Sequence, residues 1–153
     1  MRRTRYLATS VLFLTLALPA FGQPVDPVLL RGHWGGTVAQ EGVKEFKGQM
    51  FFYTVSLHIV KLLEDEQSGT MWWPEAGCRA HLTLIHYVEG VFRFATRPVD
   101  KSPKHCLPTM LTIKLPTTNK AEVAFYYRTM PKPIAEGTLK RLAPVEFKEH
   151  IQQ

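Results

Sequence analysis

The sequence predicts an all-β domain, a single antiparallel up-and-down barrel of about eight strands closed on itself, with a β-sandwich as the alternative. Two observations predict this fold class. Short apolar stretches recur along the chain between clusters of Gly, Pro, Asn, Asp and Ser, the layout of strands and tight turns. Within those stretches the side chains alternate. Tyr53, Val55, Leu57 and Ile59 fall on one face and Thr54, Ser56 and His58 on the other, and Cys78–Leu84 and Leu111–Leu115 repeat the pattern. A period of two with one wet face marks antiparallel strands that bury one side each, and closing the sheet removes its edges.

The elements follow in order. Residues 1–22 read as a signal peptide. Arg2, Arg3 and Arg5 give a basic start, Leu7–Ala20 an apolar run of 14 residues, and Ala20-Phe21-Gly22 a small-x-small cleavage site. This is the pattern that export machinery reads, and the run is shorter than the roughly 20 residues of a membrane-spanning helix. The expectation is therefore a bacterial periplasmic or secreted protein with no integral membrane segment in its mature chain. No cysteine follows the cut, so a lipid anchor there is not supported. Residues 23–31 hold two prolines and read as an extended lead-in.

The barrel is expected over residues 32–143. Its strands are Gly32–Gln40, Phe51–Leu62, Gly69–Trp73, Cys78–Tyr87, Val91–Thr96, Met110–Leu115, Glu122–Arg128 and Ile134–Leu142. Pro98–Pro108 is a long loop for a hairpin connection. Residues 144–153 form a tail with the makings of a short helix, in which Phe147 and Ile151 are spaced to pack on the barrel.

Charge narrows the function classes. The precursor carries 19 basic and 13 acidic side chains, a net charge of +6. Three of the basic residues belong to the leader, which leaves the mature chain at +3. The remaining Lys and Arg are scattered, so no nucleic-acid footprint is present. A mildly basic exported domain has at most a weak preference for anionic envelope surfaces.

The two cysteines, Cys78 and Cys106, both lie in the mature part. An even count in an exported chain favours a disulfide. It would close a loop of about 29 residues and stabilise the fold by roughly 3–4 kcal/mol on the chain-entropy account. The competing readings, a reactive thiol or a metal pair, lack a C-x-x-C or comparable signature.

Several pieces resemble a known kind of domain. They are Gly32-His33-Trp34-Gly35-Gly36, then Gly69-Thr70-Met71-Trp72-Trp73-Pro74 shortly before Cys78, and a closing Gly137-Thr138-Leu139-Lys140-Arg141. In this order they resemble small exported bacterial lipocalin-like β domains, with a G-x-W opening, a G-x-x-x-W-P turn before a cysteine, and a final G-x-L-x-R. The resemblance implies a barrel with one end closed by the opening tryptophan. It supplies no activity. The chain differs from that pattern in carrying Arg93 and Ala95, where an acidic residue is the rule, and in the length of the Pro98–Pro108 loop.

Four constellations bear on function. If Met71 and Trp73 point inward, Trp72 points outward, and Ser56, His58, Arg79 and His81 share that face. An outward Trp beside Arg and His has the composition of a protein interface, and Trp72, His58, Arg79 and His81 are the candidate binding residues. His58, His81 and His86 are placed on adjacent strands. His81 and His86 are five apart and fall on opposite faces without a bulge, so no metal site is expected. Ser56 and His58 lack a nucleophile-elbow context, paired carboxylates occur only in the turn Glu64-Asp65-Glu66, and no phosphate loop or cofactor fingerprint is present. No catalytic residues and no cofactor are therefore assigned, and the chain is not read as an enzyme. Tyr53, Met71, Trp73, Phe92, Phe94, Phe125 and Tyr127 are expected inside, more as a packed core than as a pocket.

The reading is an exported, non-catalytic binding protein engaging another protein of the envelope or exterior, as an inhibitor, immunity or envelope accessory factor. A lipocalin-like carrier of a small apolar ligand is the alternative.

Overall fold

The alternating segments become eight strands in the structure, a computed structural model that describes residues 26–42 and 46–144. These are β1 (Gly32–Glu41), β2 (Met50–Ile59), β3 (Gln67–Trp73), β4 (Cys78–Val88), β5 (Val91–Pro98), β6 (Met110–Thr117), β7 (Lys120–Tyr126) and β8 (Ala135–Leu142). Each pairs antiparallel with the next, and β8 returns to β1, so the sheet closes as a barrel. The expected up-and-down barrel is the observed architecture, and the sandwich is not. The leader, and the tail beyond Pro144, lie outside the described residues.

Where the structure departs from expectation, hydrogen bonding explains the difference. The described part of the lead-in is not extended: Pro27–Leu30 form a single 3-10 turn. Asp26 caps it by accepting a 2.9 Å hydrogen bond from the Val28 N–H, and the prolyl nitrogen of Pro27 sits where no N–H is needed. Strand β2 ends at Ile59, not Leu62, because the Val60 and Lys61 N–H groups both turn to the Ser68 carbonyl at 2.8 and 3.2 Å. Strand β7 stops at Tyr126, before Arg128, where the Met130 N–H closes a turn on the Tyr127 carbonyl.

Alternation decides the core. Trp34 and Val38 of β1, Leu57 and Ile59 of β2, and Leu82 and Leu84 of β4 are buried, with Phe92 and Phe94 of β5 beside them. Burying each such side chain contributes roughly 1.5–3 kcal/mol. At Gly69 close approach of the neighbouring strand requires glycine. A Cβ on Gly69 would lie 2.0 Å from the His58 carbonyl oxygen, next to the register shift between Gln67 and Gly69.

The two ends of the barrel differ. At the end where the chain enters and leaves, His33 of β1 is paired with Leu142 of β8. Here Trp34 is fully buried, and its Nε1–H donates to the Leu30 carbonyl at 2.8 Å. The Arg141 guanidinium lies 4.5 Å from the Trp34 ring centroid. It also donates to the carbonyls of Leu29, Arg31 (2.7 Å) and Thr118 (3.1 Å). The tryptophan of the opening motif and the arginine of the closing motif thus meet as a plug and its clamp.

The opposite end is open. There β2 and β3 are paired only between Ser56–Ile59 and Gly69–Trp72, and β5 and β6 only between Val91–Ala95 and Met110–Lys114. Both seams part toward this end. Across the first, Glu75 accepts hydrogen bonds from the free Thr54 N–H with both carboxylate oxygens, at 3.0 and 3.1 Å. Across the second, Thr96 and Thr109 are tied by their hydroxyls at 2.9 Å and by the Thr109 N–H to Thr96 Oγ1 at 2.8 Å.

Candidate functional site

The open end holds a cavity of about 220 Å³. Its wall is built from Gln40 and Tyr53 on one side, Met71, Trp73 and Ala80 on the next, and Thr96 with the loop residues Thr109, Tyr127 and Ile134 on the third. The aromatic part is ordered. Tyr53 stacks on Trp73 with centroids 5.9 Å apart, Trp73 meets Phe125 edge-on at 5.0 Å, and the Trp73 indole N–H donates to Met71 Sδ at 3.3 Å.

The fourth wall is the β5–β6 loop, residues 99–109, folded back over the β3–β4 turn. It is fastened at several points. The Val99 N–H and the Ser102 hydroxyl both donate to the Arg79 carbonyl at 3.0 and 3.2 Å, and His105 Nε2 lies 2.8 Å from the Ala76 carbonyl. The Cys78–Cys106 disulfide, with Cα atoms 5.6 Å apart, is formed as expected and completes the attachment. Both half-cystines and Leu107 line the cavity. A loop that reads as an irregularity in the sequence is therefore a lid. The interior expectation is met in part: the closed half is packed with Phe92, Phe94, Leu111 and Ile113, while the open half leaves room.

On the outside of the barrel the structure brings together the residues of the expected outer face. Ser56, Trp72 and Arg79 stand side by side across β2, β3 and β4, and His58, Thr70 and His81 form the next row. The Arg79 guanidinium lies 4.6 Å from the Trp72 ring centroid. Trp72, His58 and His81 are half-buried and Arg79 is exposed. Trp72 Nε1 and His81 Nδ1 are buried atoms with no hydrogen-bond partner.

His33, which sequence reasoning did not single out, stacks on His58 with ring centroids 4.1 Å apart. Burial, and then the electrostatic influence of the neighbouring His58, hold the His33 imidazole below its ordinary pKa of 6.5.

The histidine placements need correction. His81 and His86 both lie on β4, and His58 lies on β2 with β3 between them. A register shift between Leu84 and His86 pairs His86 with the exposed Arg93, so His81 and His86 share the outer face rather than opposing it. Among the described residues one set of potential ligand atoms lies within 4.8 Å of one another, those of Cys78, His105 and Cys106. The disulfide consumes both sulfurs, and a thiolate is what a metal needs.

Sequence reasoning placed Tyr53, Met71, Trp73 and Tyr127 inside but missed Gln40, the Thr96–Thr109 pair and the lid as parts of one site. Their only signal was the unusual loop length combined with a cysteine. Compared with protein-family models, curated proteins and solved structures, the chain matches none. Among the described residues no helix is long and apolar enough to cross a membrane.

Proposed function

We propose that the protein is an exported, non-catalytic binding protein that holds one small, largely apolar molecule in the open mouth of its barrel. The observation that carries this reading is the walled cavity beneath the disulfide-fastened lid. Eight-stranded barrels either fill their interior or keep space for one small ligand, and here filling stops at Tyr53 and Trp73. A dry cavity of 150 Å³ holds benzene, so about 220 Å³ suits a body of roughly nine non-hydrogen atoms, an aromatic ring or a short acyl chain. The His105 side chain at the rim suits a polar end. The leader-like residues 1–22 and the disulfide support action in the periplasm or outside the cell.

Native mass spectrometry of the protein recovered from its own host tests the reading. A bound species that disappears in Ala80→Phe, whose new ring projects into the cavity, is the expected result. An apo mass under gentle ionisation, together with failure of Trp73 fluorescence to respond to small aromatic and acyl probes, overturns it.

A second reading, recognition of another protein through the outer face, is favoured by the orphaned indole N–H of Trp72. A donor buried without an acceptor costs roughly 1–3 kcal/mol, which a partner carbonyl would recover. The readout is Trp72→Ala in a binding assay with any candidate partner; unchanged affinity removes Trp72 from that role.

A further inference from the structure

We propose that the open end of the barrel docks on an anionic lipid surface. The inference uses the same end of the molecule as the cavity, but it does not depend on a ligand.

Its first ground is charge. In an up-and-down barrel alternate connections lie at opposite ends, so the β1–β2, β3–β4, β5–β6 and β7–β8 loops surround the mouth. Among the described residues those loops carry five basic side chains, Lys47, Lys101, Lys104, Arg128 and Lys132, against the two carboxylates of Glu75 and Asp100. Glu75 is already engaged by the Thr54 N–H. The segments at the closed end reverse the balance. There Arg31 and Lys61 stand against five carboxylates, those of Asp26, Glu64, Asp65, Glu66 and Glu89. With Glu41 at the mouth and Lys120 and Arg141 at the closed end included, the mouth carries a net charge of +2 and the closed end −1, which turns the mouth toward a negative surface before contact.

The second ground is apolar exposure at the same end. Phe46, Met50, Phe52, Leu107 and Met130 are each about half exposed or more, Phe52 reaching 68%. They sit on or beside three of the four mouth loops, interleaved with the basic residues. Exposed Phe and Met ringed by Lys and Arg match the interfacial zone of a bilayer, where apolar side chains enter among the acyl chains and cations meet the headgroups. A polar, folded acidic partner would leave Phe52 and Met130 without an environment, which is why a lipid surface is the favoured occupant.

Co-sedimentation with vesicles tests this, using protein whose N-terminus has been read by mass spectrometry. Binding is expected to phosphatidylglycerol-containing vesicles and to be far weaker with phosphatidylcholine alone. Each Lys or Arg held near an anionic surface is worth about fivefold in partition, so Lys104→Gln with Lys132→Gln should lose about 25-fold. The same two-charge removal at the closed half, Lys114→Gln with Lys140→Gln, should lose much less. Phe52→Gln with Met130→Gln should weaken binding by about tenfold, and that loss should persist at high salt.

Equal binding to both vesicle types, or equal loss from mouth and closed-half charge variants, overturns the proposal. So does heparin binding as tight as vesicle binding and indifferent to Phe52→Gln with Met130→Gln, because the partner is then a soluble polyanion. All six substituted positions are exposed, and unchanged thermal unfolding verifies that each variant is folded.

Discussion

Replacing Arg141 by lysine measures what holds the closed end of the barrel. The guanidinium spans three carbonyls on two separate segments, those of Leu29 and Arg31 before β1 and that of Thr118 in the β6–β7 turn. It also covers the Trp34 ring at 4.5 Å. A lysine keeps the charge but not the planar fork, so it reaches one carbonyl at a time. Two hydrogen bonds are lost, at about 1 kcal/mol each for a half-buried site. Weaker contact with the indole adds about 0.5 kcal/mol, for a total of about 2.5 kcal/mol. For a domain of this size 1 kcal/mol corresponds to about 4 °C, so the melting temperature should fall by about 10 °C. Thermal unfolding followed by circular dichroism reads the shift, and Trp34 fluorescence reports whether the plug has loosened. A fall of under 2 °C with unchanged fluorescence would show that the packing of Trp34, and not the arginine, seals this end.

Further outcomes follow from other positions. Gly69→Ala should destabilise by about 2 kcal/mol or more, because the new Cβ meets the His58 carbonyl oxygen at 2.0 Å and backbone must move; chemical denaturation measures it. Replacing Cys78 and Cys106 together by alanine should cost about 3–4 kcal/mol on the chain-entropy account, and it should loosen the lid enough to raise hydrogen exchange across residues 99–109. His33 has its folded pKa depressed, by burial first and by His58 second. Stability is therefore whole above the unfolded value of 6.5 and is lost as the pH falls through the folded value, since the unfolded chain takes up the proton first. Denaturant midpoints across that window should fall with pH, and His58→Asn should flatten part of the fall. Ala80→Phe should abolish uptake of small apolar probes while far-UV circular dichroism stays that of the barrel.

The strands were legible because alternation is a local property. Tyr53 to Ile59 and Cys78 to Leu84 declare their inner faces without reference to the rest of the chain, and the outward row of Ser56, Trp72 and Arg79 follows from the same parity. What alternation does not carry is register between distant strands. Trp34 and Arg141 belong to recognisable motifs, yet their contact depends on β8 closing against β1, and nothing nearby in the sequence encodes that closure. The stacking of His33 on His58 was missed for the same reason: it depends on the β1–β2 pairing. Bulges are the other blind spot. The irregularity before His86 shifts parity by one residue, and an ideal strand then assigns the wrong face. The mouth was legible only in pieces. Its aromatic wall follows from parity, but its lid depends on where a disulfide and a few carbonyl contacts fold an apparently featureless loop.

The pairing of His33 with Leu142 has a practical corollary. Since the strand count is even, both described ends of the barrel strand path emerge on the sealed side, a barrel's length from the cavity. A fusion, label or surface linkage at either of them holds the molecule by its base and leaves the rim unobstructed. A graft into the 99–109 connection would instead sit across the opening.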